Sequence, residues 1–332
     1  MSTNGHDSSS STLPTSTASP LHGSPSWRPP AQRGTKRPQP TFERISTIME
    51  RLEAKIKTRT GEPALPFGIP ALDRLTHGLI KGKITVMAAR SSQGKTTLAM
   101  QTAWHLADLG NTVAYLTLED DREELVERLL CHTVPWPNFK LRQGDVPVIS
   151  KELRSVYARV KLLVLDEYGY NMPEIADTVH VLRPKVDVVV IDYAQMIDDD
   201  QWESEYRALS IFVRQLKMFA ESEEIAVILA SQINRQGAAE GRPSLHHLAR
   251  CGRLEEVANL VLMLYWPAYS QDESFDRRFG RGECPHDYYE LSVQKNKTGP
   301  KGTIPLRFIG EHYRFEPWPV AVEEAVGAAV EV

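Results

Sequence analysis

The sharpest chemical signal in the sequence is Ala89-Arg90-Ser91-Ser92-Gln93-Gly94-Lys95-Thr96-Thr97. It follows an apolar run, Ile84–Ala89, and opens a helical pattern. A loop at such a junction offers consecutive backbone N–H groups and the positive end of a helix, which together cradle phosphates. Lys95 can then reach the β- and γ-phosphates of ATP, and the Thr96 hydroxyl can hold Mg²⁺. Ala89 stands where the first glycine of such a loop usually stands.

The metal needs a second oxygen ligand. Val188-Val189-Val190-Ile191-Asp192 is an apolar strand ending in a carboxylate, which places Asp192 beside the phosphate loop as a direct or water-mediated Mg²⁺ ligand. Hydrolysis also needs a base for water. Leu116-Thr117-Leu118-Glu119 sets Glu119 just past another strand, facing the same cleft, as the candidate general base. Asp120 and Asp121 beside it could cap the next helix instead. Ile228-Leu229-Ala230-Ser231-Gln232 ends a further strand with a polar pair. Gln232 could sense the γ-phosphate, or merely cap a turn.

These residues require a scaffold of alternating strands and helices. Strand-like runs occur at Ile84–Ala89, Val113–Leu118, Leu162–Leu165, Val186–Ile191, Ala226–Ala230, Leu260–Tyr265, Tyr289–Val293 and Ile304–Phe308. Helical patterns lie between them, notably Thr96–Leu109, Asp121–Leu130 and Glu205–Ser222. Alternation of this kind predicts an α/β fold: a mainly parallel sheet flanked by helices on both faces. Short connections between the last three strands predict antiparallel pairs at one edge. Before this domain, Ile45, Ile48, Met49, Leu52 and Ile56 form one apolar stripe on a helix over Phe42–Lys57. The stripe must either fold back on its own domain or dock on a neighbouring subunit. The expected boundaries are a tail over 1–41, this helix and linker over 42–61, the α/β domain over 62–318 and a second tail over 319–332.

Composition bounds the partners. Of the first twenty residues eleven are Ser or Thr, and residues 20–40 are rich in Pro and basic side chains, a mix too polar to fold. The 332 residues are 41% hydrophobic and 25% charged with a net charge of −4, which excludes a strongly basic nucleic-acid coat but not a local basic channel. No apolar run approaches the ~18 residues of a membrane span. Three cysteines without a CxxC spacing argue against disulfides or structural zinc and fit the cytoplasm. The loop from Asn234 to Arg253 carries Arg235, Arg242, His246, His247, Arg250 and Arg253 against one carboxylate, Glu240, and is the candidate phosphate-contacting surface. His246-His247 reads as helix surface, and Asp198-Asp199-Asp200 as a solvated acidic loop.

From about Phe42 to Pro317 the order of motifs resembles the RecA-like, P-loop ATPase domain of DnaB-type replicative helicases. The resemblance rests on Gly68-Ile69-Pro70-Ala71-Leu72-Asp73, Ala88–Thr97, Leu116–Glu119 and Ile191-Asp192-Tyr193-Ala194-Gln195. It continues through Ser231-Gln232-Ile233-Asn234-Arg235, Arg242-Pro243, Gly252–Glu255 and Lys295–Pro300 with Gly302-Thr303. In such helicases six subunits ring single-stranded DNA, with ATP between subunits. The resemblance implies that Lys95, Thr96, Glu119, Asp192 and Gln232 serve the subunit's own site. It implies that Lys295 and Lys297 reach a neighbour's nucleotide, that the loop ending in Gly252 faces DNA, and that the leading helix docks on the next subunit.

Several positions depart from the family pattern. Lys297 stands at the arginine-finger position and offers a point charge rather than a planar fork; Arg314 is another cation that could stand in. Leu248-Ala249-Arg250-Cys251-Gly252 shifts an arginine by one, and Arg253 adds a charge. The stretch Pro267–Asp287 is long and polar. The family's helical N-terminal domain, which helps organise the ring and engage primase, has no counterpart in this sequence, and a helicase loader is the other expected partner. The rival expectation is a RecA-like ATPase that acts as a regulator, recombination mediator or loader without unwinding.

Overall fold

Apolar runs become strands buried on both faces, which only a sheet covered by helices allows. The computed structural model describes residues 43–57, 65–166, 171–182, 185–192, 205–233, 242–248, 252–270, 279 and 284–319. The strands are β1 Ile84–Ala89, β2 Thr112–Thr117, β3 Lys161–Leu165, β4 Val188–Asp192, β5 Ala226–Gln232, β6 Leu260–Tyr265, β7 Tyr288–Asn296, β8 Gly302–Ile309 and β9 Arg314–Pro317. They form one sheet in the order β3-β2-β4-β5-β1-β6-β7-β8-β9. The first six of that order pair in parallel. The last three run antiparallel, as expected. The link between β6 and β7 is not short, however, since residues 266–287 intervene.

The helices are α1 Ile45–Lys57, α2 Pro70–Thr76, α3 Lys95–Asp108, α4 Arg122–Thr133, α5 Asn138–Arg142, α6 Lys151–Arg159, α7 Met172–Val181, α8 Glu205–Glu223, α9 Gly252–Val257 and α10 Pro267–Ser270. Two cores sandwich the sheet. One joins α2, α3 and α4 to Met87, Tyr115, Val190 and Ile228. The other joins α7, α8 and α9 to Val86, Leu116, Ile191 and Leu229. Neighbouring residues on each strand thus face opposite cores, as the pleat demands. Helix α4 starts at Asp121, whose side chain accepts from the Glu124 N–H at 2.7 Å. Helix α7 starts with a reciprocal Asn171–Glu174 capping box.

Helix α1 does not fold back on the domain. Every residue of its apolar stripe, from Ile45 at 78% to Leu52 at 39%, is exposed in the single chain. The expected tails, 1–41 and the bulk of 319–332, lie outside the described residues, as does Asp198-Asp199-Asp200.

Edge strand β9 is fastened to α3 by a buried side chain. The Gln101 amide donates to the Phe315 carbonyl at 2.9 Å and accepts from the Phe315 N–H at 2.8 Å. Gln101→Leu leaves both backbone groups buried without partners, at about 1–3 kcal/mol each. Unfolding free energy by denaturant titration should fall by about 2–4 kcal/mol.

Candidate ATP site

Strand order builds the site. The C-terminal ends of β2, β4, β5 and β1 lie side by side, so Glu119, Asp192, Gln232 and the phosphate loop share one edge of the sheet. Gln232 pairs in register with Ala89, and the Ile233 N–H donates to the Ala89 carbonyl at 2.9 Å. Thr117 pairs in register with Asp192, and the Leu118 N–H donates to the Asp192 carbonyl at 2.7 Å.

The loop itself is shaped for an anion. Ser92 has φ 60° and Gly94 has φ 86°, so right- and left-handed residues alternate and turn successive N–H groups into one concavity. Lys95 opens α3, with Thr96 next to it. The loop sits on β9, because a Cβ on Gly94 would lie 2.8 Å from the Phe315 ring. Gln93 is buried, and neither polar atom of its amide has a partner. Arg90 lies 5.4 Å from the centre of the Tyr269 ring, which stacks on Trp266.

Lys95 crosses the loop to form an ion pair with Asp192, Nζ to Oδ1 at 2.9 Å. Both side chains are nearly enclosed, at 11% and 3% exposure. The other Asp192 oxygen accepts from the Tyr115 hydroxyl at 2.9 Å. Burial and the neighbouring Asp192 charge hold the Tyr115 hydroxyl well above its usual range, so it remains a donor. Partial burial raises the Glu119 carboxyl above the ordinary value, and the positive charge of Lys95 pulls it back down. The loop beyond Glu119 is braced: Thr117 Oγ1 donates to the Asp120 carbonyl at 2.7 Å, and Arg128 pairs with the Asp120 carboxylate at 2.7 Å. This donor set fits Mg·ATP, with amides and an ammonium for phosphate and a hydroxyl and carboxylates around a hard cation.

Lys295 and Lys297 lie elsewhere. Lys295 pairs in register with Val261 near the start of β6, at the sheet edge opposite the phosphate loop. The ammonium of Lys295 donates to the Glu255 carbonyl and that of Lys297 to the Glu256 carbonyl, both in the last turn of α9. Burial and the charge of Lys297 lower the Lys295 pKa. Neither lysine can therefore reach the ATP site of its own chain. Arg314 pairs with Glu316 at 2.7 Å on β9.

The basic loop is only partly described. Arg235 and Arg250 lie outside the described residues. Arg242 forms a two-point ion pair with buried Glu290 on β7, at 3.0 and 3.1 Å, and remains half-exposed. Arg253 is exposed and pairs with Glu256 at 3.0 Å, one residue into the helix that Gly252 opens. His246 is exposed as expected, but the surface reading fails for His247, which is buried with its Nδ1 accepting from the Ser244 N–H at 3.1 Å. A local hydrogen bond thus draws it inward. No metal-binding cluster of His, Cys, Asp or Glu is found among the described residues. Sequence reasoning missed Tyr115, whose position in an apolar run gave no sign that its hydroxyl reaches Asp192.

A phosphate loop at the end of the central parallel strand, with its acidic partners on the strands to one side, defines a RecA-like ATPase. The matching family model narrows that class. The DnaB-like helicase C terminal domain model matches residues 64–317, and the chain belongs to this family. Replicative DNA helicase DnaB from Leifsonia xyli subsp. xyli is 30% identical over 83% of this chain and 61% of its own length. That from Geobacillus stearothermophilus is 28% identical over 82% of this chain and 62% of its own. The chain thus spans about three fifths of these relatives. Among solved structures, the ATPase domain of G40P is 25% identical with a TM-score of 0.74, covering 84% of this chain and all of that one. A DnaB-like replicative helicase, solved in a study of its interactions with primase, has a TM-score of 0.71 and is also 25% identical; the match covers 83% of this chain and 70% of the helicase.

Gly94→Ala tests the loop. A left-handed non-glycine residue costs about 1–2 kcal/mol, before any clash with Phe315. Affinity for a fluorescent ATP analogue should drop about ten-fold or more.

Proposed function

We propose that this chain is an ATP-dependent DNA helicase of the DnaB type, which moves along single-stranded DNA as a ring and unwinds duplex during replication. The observation that carries this is the division of the ATP machinery between two opposite edges of one subunit. Lys95, Thr96, Glu119, Asp192 and Gln232 gather at one edge. Lys295 and Lys297 sit at the other, where only another subunit's nucleotide could meet them. The exposed stripe of α1 supports the same assembly, a homo-hexamer in which that helix docks on a neighbour.

Ala89, Arg90, Ser91, Ser92, Gln93 and Gly94 wrap the phosphates, with Thr97 behind them. Lys95 leaves Asp192 for the β- and γ-phosphates. Thr96 and Asp192 would hold Mg²⁺, which when bound would supply positive charge beside the phosphates. Glu119 accepts a proton from the attacking water, and its raised proton affinity suits that role. Gln232, the register partner of Ala89, reads the γ-phosphate and passes its presence to the loop that follows β5. Arg235, Arg242, Arg250 and Arg253, with the turn at Gly252, meet DNA phosphates. Primase or a helicase loader would engage the assembled ring. No helix among the described residues is long and apolar enough to cross a membrane.

A second reading is favoured by one observation, a lysine at position 297 where the family pattern has an arginine. It offers weaker support across the interface, as in an ATPase that regulates, mediates recombination or loads another protein without unwinding.

ATP hydrolysis measured with and without single-stranded DNA separates these readings. A motor should be stimulated by DNA, and less so as salt rises. Hydrolysis indifferent to DNA would move the weight to the second reading. Lys95→Ala and Glu119→Gln should each lower turnover by about 10²-fold or more with the fold retained, by analogy with loss of a general base; wild-type rates would overturn the assignment.

Mixing inactive subunits tests the shared interface. Lys95→Ala and Lys297→Ala chains, each impaired alone, should regain hydrolysis when mixed, since some interfaces then hold both lysines. Absence of any recovery would place Lys297 outside the site.

A further inference from the structure

Asp192 is held from two sides, and the two holds have different fates. Lys95 donates to Oδ1 from α3, and Tyr115 donates to Oδ2 from β2, each at 2.9 Å. Lys95 must leave when phosphate arrives, because its ammonium is the loop's phosphate ligand. Tyr115 has no such second task. Its ring is fully buried in the core that α3 shares with the sheet, in one cluster with Val113 and Val190. Tyr115 and Thr117 lie on one face of β2, and Thr117 is the register partner of Asp192. The phenol therefore lies along the strand and ends at the carboxylate. The other charged groups near this pair are Glu119, Asp120 and Arg128, and the last two are tied to each other.

We propose that Tyr115 is a positioning residue for the metal site: it pins one oxygen of Asp192 so that the other faces Mg²⁺ once Lys95 has gone. The proposal rests on the ATPase reading above. Mg²⁺ tolerates little departure from octahedral geometry and binds through few protein oxygens. A carboxylate free to rotate about its last bond presents its oxygen to that geometry only part of the time. A buried donor on the far oxygen removes that freedom. It also keeps Asp192 from closing on Lys95 with both oxygens, which would hold the lysine back from phosphate. Outer-shell donors of this kind are typically worth about 10–100-fold in metal affinity.

Tyr115→Phe is the test, since it keeps the ring and removes only the hydroxyl. The full-length chain is titrated with MgCl₂ at fixed fluorescent ATP analogue, and analogue binding is measured again in EDTA. The Mg²⁺ concentration for half-maximal effect should rise about ten-fold, while binding in EDTA changes less than about two-fold. An equal loss with and without Mg²⁺ would show a structural role and overturn the proposal. Asp192→Asn is the reference. If it shifts the Mg²⁺ titration and Tyr115→Phe does not, the positioning role falls and the ATP site stands. If neither shifts it, the assignment of Asp192 to the metal falls as well. In the double variant the Phe substitution should add nothing, because its effect runs through the carboxylate. Additive losses would overturn the proposal even if Tyr115→Phe lowers stability.

Discussion

An ammonium and a carboxylate buried against each other at the rim of a parallel sheet govern this molecule. Removing either ion from water is costly, and their mutual attraction offsets that cost only while both stay paired. The Lys95–Asp192 contact therefore makes nucleotide entry an exchange of partners rather than the filling of an empty cleft. In the proposed reaction phosphate would take the lysine, and the metal would take the aspartate. Neither ion is left alone at any stage if triphosphate and Mg²⁺ arrive together. The sheet order follows from this need. Asp192 must end a strand close enough for a side chain on α3 to cross to it, and β5 is the single strand between them.

The opposite edge obeys a complementary constraint. Two lysines close together repel, and each caps a carbonyl in the last turn of α9, where the helix dipole favours a cation. Their resting partners belong to the helix that Gly252 opens, just after the loop that the family resemblance turns toward DNA. The lysines proposed to meet a neighbour's nucleotide are thus hydrogen-bonded to the helix that follows the loop proposed to meet DNA. On the proposed roles, that proximity would give a physical route between hydrolysis and grip that needs no distant relay.

Much of this was legible in the sequence, and the reasons are specific. β1, β4 and β6 are continuous apolar runs because both faces are covered, and each was found within two residues of its bounds. Loop and helix chemistry made Lys95 and Asp192 readable as a pair of roles, although not as a contact. Short elements escaped. β9 is four residues with two charges, and its place comes from Gln101, more than two hundred positions away. α7 carried a readable Asn171-x-x-Glu174 signal that periodicity alone overlooked. α6 buries no residue and shows a core nothing to recognise. Tyr115 was missed and His247 misread for one reason: residue type gives average burial, while a single hydrogen bond decides where a polar tip goes.

The clasp between Gln101 and Phe315 has a mechanical side. It bolts β9 to the helix that begins with Lys95, while Phe315 forms the floor under Gly94. β9 is laced to β8 and β8 to β7, whose far end carries Lys295 and Lys297. The antiparallel wing thus joins the lysine end of β7 to the floor under the phosphate loop. In the proposed ring, a pull on its lysines would reach the cradle through these paired strands. In a closed circle of such subunits each would act as a rocker arm, so that the stroke of one site sets the posture of the next.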